Sequence, residues 1–160
     1  VLDADGLNAA ASLLNAGRAL PHPAGELILT PHPGEMSRLT GRSTSVLAAD
    51  REGAACRFAR EWNAVVVLKG AGTVVAAPDG RCCVNTTGNP GLSRGGSGDA
   101  LAGMTAALLA CGLPAYEAAA CAVYLHGVAA DRAAALRGEY GMLPQDLFAP
   151  LGRLFAEHHR

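Results

Sequence analysis

Apolar positions recur along this chain in two rhythms, short strand-like runs alternating with longer helical ones. Val1–Asp3 reads as the end of a strand, followed by a helix over Leu7–Asn15 that Gly17 closes. After a loop rich in proline and histidine, Arg18–Gly25, the run Glu26–Thr30 reads as a second strand. Thr30 to Gly34 is a stiff turn, because each proline in it restricts the residue before. A short helical turn follows. The periodicity then predicts one amphipathic helix over Ser45–Trp62, with Val46, Ala49, Gly53, Cys56, Ala59 and Ala64 near one face and Asp50, Arg51, Arg57, Arg60 and Glu61 elsewhere.

Ala64–Leu68, built on three consecutive valines, predicts a buried strand. Gly70 to Gly72 is a turn, Thr73–Ala77 a second strand, Pro78 to Gly80 a hairpin signal and Arg81–Asn85 a third strand. A glycine-rich loop, Thr86–Gly98, leads into a helix from about Asp99 to Cys111. Pro114 suits the first turn of another helix, to about Leu136, and a last amphipathic helix runs over about Pro144–His158. Strand–helix alternation with one local hairpin predicts a layered α/β domain, and without linker or repeat residues 1–160 read as one domain.

Composition narrows the function classes. A chain of 160 residues that is 50% hydrophobic and 17% charged is not disordered. A net charge of −1 and 4% aromatic residues speak against a nucleic-acid binder, which would show a basic face or stacking platforms. Ala100 to Tyr116 carries no charge, yet it is too short for a membrane span and is interrupted by Gly103, Gly112 and Pro114, so it reads as a buried helix. The five cysteines form no Cys-x-x-Cys pair, so no metal site is expected. Cys111 and Cys121 read as small core residues, and Cys82 and Cys83 as strand neighbours on opposite faces, all reduced thiols of a cytoplasmic protein. The chain opens on Val-Leu-Asp without a signal-peptide pattern, directly in strand-like sequence, so an N-terminal part of the fold is expected to precede it.

Candidate chemistry concentrates between Asn85 and Asp99. A strand, a glycine-rich loop and a helix start in succession make an anion site, where free backbone N–H groups and the helix dipole face a phosphate. The loop is neither a Walker A sequence nor Gly-x-Gly-x-x-Gly. Gly95, Gly96, Ser97 and Gly98 are the candidate anion hole. Asp99, in the first helical turn, is either a stabilising helix acid or a base that takes a proton from an attacking hydroxyl. Lys69, the only lysine beside twelve arginines, opens Lys-Gly-Ala-Gly-Thr73 and is a phosphate or ribose contact or an exposed strand-end residue. His32 sits at a strand's C-terminal end, where ligands gather in open α/β sheets, although a lone loop histidine is often incidental. His126 reads as packed, and His22, His158 and His159 as surface residues. Asp3, Asp5 and Asn8 cap the first helix or line the same cleft.

Four motifs occur here in one order: Val-Leu-Asp-Ala-Asp-Gly-Leu-Asn8, Thr-Pro-His-Pro-Gly-Glu35, Val-Leu-Lys-Gly-x-x-Thr73 and Gly-Asn-Pro-Gly-x-x-x-Gly-Gly-Ser-Gly-Asp99. From Val1 to about Ala135 the chain resembles the NAD(P)H-hydrate dehydratase family of the ribokinase-like superfamily. That resemblance implies a three-layer αβα sandwich, with the N-terminal part of the fold absent from this chain. It implies a repair lyase that dehydrates hydrated NADH or NADPH at the expense of ADP or ATP with Mg²⁺. Under it, His32 and Asp99 contact the hydrate, while Lys69, Gly70, Ala71, Gly72, Thr73 and Gly98 contact the adenine nucleotide. It further suggests a homo-oligomer and is compatible with a fused NAD(P)H-hydrate epimerase domain in the parent protein. Related thiazole and pyrimidine kinases usually have Cys where Asp99 stands. Arg94 replaces a small or hydroxyl residue and Ser97 the more usual Thr, and Arg94 either reaches a phosphate or faces solvent. A small-molecule kinase of the same superfamily and a catalytically silent nucleotide-binding module are the competing readings.

Overall fold

The structure is a computed structural model that describes residues 1–19 and 23–158; the readings of His22 and His159 fall outside them. In chain order the elements are α1 (Asp5–Asn15), β1 (Ile28–Leu29), α2 (Pro33–Thr40), α3 (Thr44–Ala49) and α4 (Arg51–Trp62). There follow β2 (Val65–Leu68), β3 (Val74–Ala76), β4 (Cys82–Val84), α5 (Ser97–Ala110), α6 (Ala115–Arg137) and α7 (Phe148–His158). Single 3₁₀ turns at Pro90–Leu92 and Pro144–Leu147 precede α5 and α7.

The sheet runs β1-β2-β3-β4, with β1 and β2 parallel and the other two pairs antiparallel. Leu2 adds a parallel bridge to Leu29 beyond β1. Side chains alternate across the sheet. Leu29, Val66, Leu68, Val74 and Ala76 pack under α1 to α4, where Phe58 is 2% exposed with its ring 5.2 Å from that of Trp62. Ile28, Val65, Val67, Val75 and Ala77 face Leu101 of α5 and the alanine-rich side of α6. A sheet between two helical layers is the expected αβα sandwich. A third cluster joins the C-terminal half of α6 to α7.

Leu2, β1, β2 and β4 all run in one direction, so the segments leaving them, which carry Asp3, His32, Lys69 and Asn85, emerge at one edge. Lys69 N–H donates to the Pro31 carbonyl at 2.9 Å, extending the parallel ladder to that edge. The fold thereby sets four separate stretches of chain side by side.

Four expectations need correction. The helix predicted over Ser45–Trp62 is two helices, broken at Asp50 (φ −148°, ψ 72°), whose carboxylate accepts from Gly53 N–H at 2.9 Å and starts α4 afresh. The buried positions are therefore Leu47, Ala54, Ala55, Phe58, Ala59 and Trp62, while Val46 is exposed. The short turn after Gly34 is a two-turn helix, α2. The uncharged stretch is not a buried helix, because α5 buries only Ser97, Leu101 and Thr105 and leaves Gly103, Ala106, Ala107 and Ala110 exposed. Alanine and glycine carry little apolar surface, so leaving them in water costs little. Cys111, at the end of α5, is exposed rather than core. Among the described residues no helix is long and apolar enough to cross a membrane.

Truncating Phe58 to alanine opens a cavity in the layer under α4, and the unfolding free energy should fall by about 3–5 kcal/mol. The readout is a lower denaturant midpoint at unchanged m-value, and a change under 1 kcal/mol would mean that this layer is loosely packed.

Candidate active site

Lys69 directly follows β2 with its side chain only 18% exposed, and its ammonium donates to Asp3 Oδ1 at 2.7 Å. Glu35 Oε2 lies 3.8 Å from the same nitrogen. One cation thus meets two carboxylates, from three stretches of chain far apart in sequence. Asp3 is brought there by the turn into α1, where Ala4 holds φ +48°, a conformation that disfavours side chains. Asp3 therefore lines the site instead of capping α1, which has no side-chain cap. Asn8 accepts from Arg38 Nε at 2.9 Å, and Asp5 is an exposed first-turn residue of α1.

His32 is the N-cap of α2. Its Nδ1 accepts from Gly34 N–H at 3.0 Å and Glu35 N–H at 3.3 Å, while Glu35 Oε2 accepts from His32 N–H at 2.7 Å. A nitrogen that accepts two backbone protons carries none of its own, so the ring proton sits on Nε2. Nε2 is 3.5 Å from Glu35 Oε1, on a side chain half exposed. The pairing joins His32 to Lys69 through a single buried carboxylate, Glu35, a residue that sequence reasoning quoted in a motif without giving it a role. Its spacing, three after a cap, is the capping-box signal that could have marked it.

Beside this cluster opens a cleft of about 650 Å³, within the range of small-ligand sites. Its walls are the turn Lys69–Thr73, the segment Val84–Pro90, the start of α5 at Ser97 and Gly98, and His126 with Gly127 on α6. All six residues assigned by resemblance to the adenine nucleotide border it. Thr73 Oγ1 donates to Gly70 C=O at 3.0 Å and closes the first wall. The second is braced from α6, where the Asp131 carboxylate accepts from Gly88 N–H and Asn89 Nδ2, both at 2.9 Å, and Thr87 Oγ1 donates to Tyr124 C=O at 3.1 Å. A Cβ at Gly127 would strike Thr87, so glycine there lets helix and loop approach.

Of the four residues expected to form an anion hole, Ser97 and Gly98 line the cleft. Ser97 N–H donates to Arg94 C=O and Ala100 N–H to Gly96 C=O, while the amides of Gly95, Gly96, Gly98 and Asp99 have no acceptor among the described residues. Gly95 and Gly96 form the turn before the helix and do not line the cleft. A Cβ on Gly98 would stand 3.3 Å from Lys69 Nζ, so this residue lies beside the ammonium. Asp99 is exposed at the third position of α5, outside the cleft lining, with no hydrogen bond or ion pair among the described residues. Arg94 is exposed, the second of its two expected courses, and its guanidinium donates to the Tyr140 carbonyl.

His126 is buried, but it also forms part of the cleft wall, and its Nε2 has no hydrogen-bond partner among the described residues. Burial holds its pKa below the ordinary value, opposed by a hydrogen bond with the Ser97 backbone. Among the described residues no three metal-ligating side chains gather.

A sheet flanked by helices, with a braced cleft at the strands' C-terminal edge, is the ribokinase-like arrangement. It superimposes on a ribokinase-like superfamily protein from Enterococcus faecalis with a TM-score of 0.81 at 28% identity, over 98% of this chain and 51% of that one. The profile of the NAD(P)H-hydrate dehydratase family matches residues 1–153, and the chain belongs to that family. It is 50% identical over 147 residues to the bifunctional NAD(P)H-hydrate repair enzyme Nnr of Moorella thermoacetica, covering 92% of this chain and 27% of that protein. The ADP/ATP-dependent NAD(P)H-hydrate dehydratase from Bacillus subtilis, co-crystallised with ATP/Mg²⁺, matches with a TM-score of 0.87 at 39% identity, over 98% of this chain and 53% of that one. The chain thus spans about a quarter to a half of the length of these relatives.

The lowered pKa of His126 has a readable consequence. Between it and the ordinary value of about 6.5, the unfolded chain binds a proton that the folded chain does not, so stability rises with pH across that window and is lost as pH falls through it. His126→Gln should flatten the decline of Tm from neutral to mildly acidic pH. A pH series of thermal melts checks this, and an unchanged slope would remove His126 as the titrating group.

Proposed function

We propose that the protein carrying this chain dehydrates hydrated NADH or NADPH, using ADP or ATP with Mg²⁺. The observation that supports this best is one cleft in which the Lys69–Thr73 turn faces the uncommitted amide of Gly98 at the start of α5, with the Lys69 ammonium beside that residue. That is a phosphate-sized concentration of donors beside a cavity large enough for a nucleoside.

In the proposed reaction the hydrate's hydroxyl attacks the terminal phosphorus of the nucleotide, and AMP or ADP leaves. Asp99 accepts the hydroxyl proton; its exposure outside the cleft leaves it open to a second ligand. The phosphate ester then breaks its C–O bond, the neighbouring ring carbon gives up a proton and the double bond of NAD(P)H returns. The hydroxyl oxygen departs with phosphate, so phosphorylation converts a poor leaving group into a good one. His32 offers its Nε2–H to the hydrate, oriented by α2 and Glu35. Lys69, Gly70, Ala71, Gly72, Thr73 and Gly98 hold the adenine nucleotide. Mg²⁺ enters on the phosphates, where it neutralises charge, and retains much of its water. The reading is of a cytoplasmic, homo-oligomeric lyase, with an NAD(P)H-hydrate epimerase as the natural fused partner.

The full protein, given NADH hydrate, Mg²⁺ and ADP or ATP, should regenerate the absorbance of NADH. A stable phosphorylated product without NADH would favour a small-molecule kinase, and nucleotide binding without turnover a silent module. Asp99→Asn should keep nucleotide affinity while kcat falls by about 10²–10⁴; near-parental kcat would sink the base assignment.

Gly98→Val places a branched side chain against the Lys69 ammonium and over the free amides. Circular dichroism should remain native while calorimetric binding of ADP or ATP is lost. Parental affinity would show that phosphate binds elsewhere.

A further inference from the structure

Arg51, the first residue of α4, reaches out of its helix to the turn between β2 and β3. Its Nη2 lies 3.1 Å from the Leu68 carbonyl, 3.3 Å from that of Gly72 and 3.4 Å from that of Lys69. No carboxylate pairs with it among the described residues, so its charge is directed at these carbonyls alone. The fit leaves no space: a Cβ on Gly70, which holds φ +145°, would stand 2.7 Å from Arg51 Nη1.

We propose that Arg51 is a positioning residue for the nucleotide, acting through the backbone of the Lys69–Thr73 turn; this rests on the nucleotide-binding reading above. In a trans peptide the C=O and the following N–H point in opposite directions. Drawing the Lys69 and Gly72 carbonyls onto one guanidinium therefore turns the amides of Gly70 and Thr73 the other way. Neither amide has an acceptor among the described residues, and both residues border the cleft. The two N–H groups are thus presented to oxygen acceptors of the nucleotide, its ribose or phosphate oxygens, with an unpaired cation behind them. A lysine keeps the charge but presents it as a compact, strongly hydrated ammonium on a flexible stem, so it holds the turn less well.

The test is made on the full protein carrying this chain, with ADP and ATP as probes. In Arg51→Met, the amide resonances of Gly70 and Thr73 should shift and broaden without nucleotide present, as the turn loses its fixed geometry. The KM and calorimetric Kd for the nucleotide should rise about tenfold or more, the range of a lost charge-assisted contact, with a much smaller change in kcat at saturation. Arg51→Lys should fall between parent and Met. If Arg51→Met does not fold, Gly70→Ala, which keeps Arg51 but displaces it, must weaken nucleotide binding in the same way. Parental nucleotide affinity in Arg51→Met or, failing that, in Gly70→Ala overturns the proposal, even if the amide resonances shift. A parent protein that binds neither ADP nor ATP overturns the nucleotide reading itself and this role with it.

Discussion

An ammonium held between two carboxylates at the edge of the sheet is the contact on which the site depends. Lys69 is mostly withdrawn from water, and so are Asp3 and Glu35. Removing charges from solvent is expensive, and such a group is tolerable only where geometry and further hydrogen bonds compensate it. Here Glu35 is compensated twice, by Lys69 and by the backbone N–H of His32. The parallel arrangement of Leu2, β1 and β2 makes this meeting compulsory, since it delivers their C-terminal ends to one edge. Loss of any one partner would leave a charge stranded in a poorly hydrated place.

Around that contact, a cleft is built from parts with different mechanical origins. One wall is a tight turn between antiparallel strands, stiffened by its own Thr73 hydroxyl. The opposite wall is an irregular segment that could not hold its shape alone, and Asp131 on α6 supplies acceptors for its donors. The floor of small residues on α6 brings a helix close to a loop, which the Gly127–Thr87 approach requires. Rigid elements thus carry a site made largely of backbone, and its electrostatics come from uncommitted amides more than from exposed charges.

Much of this arrangement is written in local sequence. The three valines before Lys69 are a strand in any reading, and Pro78 to Gly80 marks the hairpin that follows. The glycine-rich approach to α5 announces a backbone site without geometry, because the spacing of glycines does not say which amides are already used. The break at Asp50 escaped detection because the apolar residues around it continue at helical spacing, and only the carboxylate–Gly53 bond interrupts them. Glu35 and Arg51 escaped for a different reason. Their partners lie in another stretch of chain, Lys69 in one case and the carbonyls of Leu68 to Gly72 in the other, and no local pattern encodes a contact across that separation. His126 follows an apolar helical pattern and was read correctly as buried, but burial alone does not reveal that it also borders a cavity.

The distance along the chain between Asp3 and Lys69 has a consequence for how the molecule assembles. They are 66 residues apart, whereas the turn after Lys69 lies within a hairpin of neighbouring strands. Closing a long segment carries a larger entropic penalty than closing a hairpin, and topologies rich in distant contacts fold more slowly. The Lys69–Thr73 turn therefore belongs to the part of the chain that organises locally, and the neutralisation of Lys69 to the part that waits for the segment carrying Asp3 to dock. Completion of the pocket in this sense depends on the longer-range closure, and ligand affinity reports that Asp3 has reached Lys69.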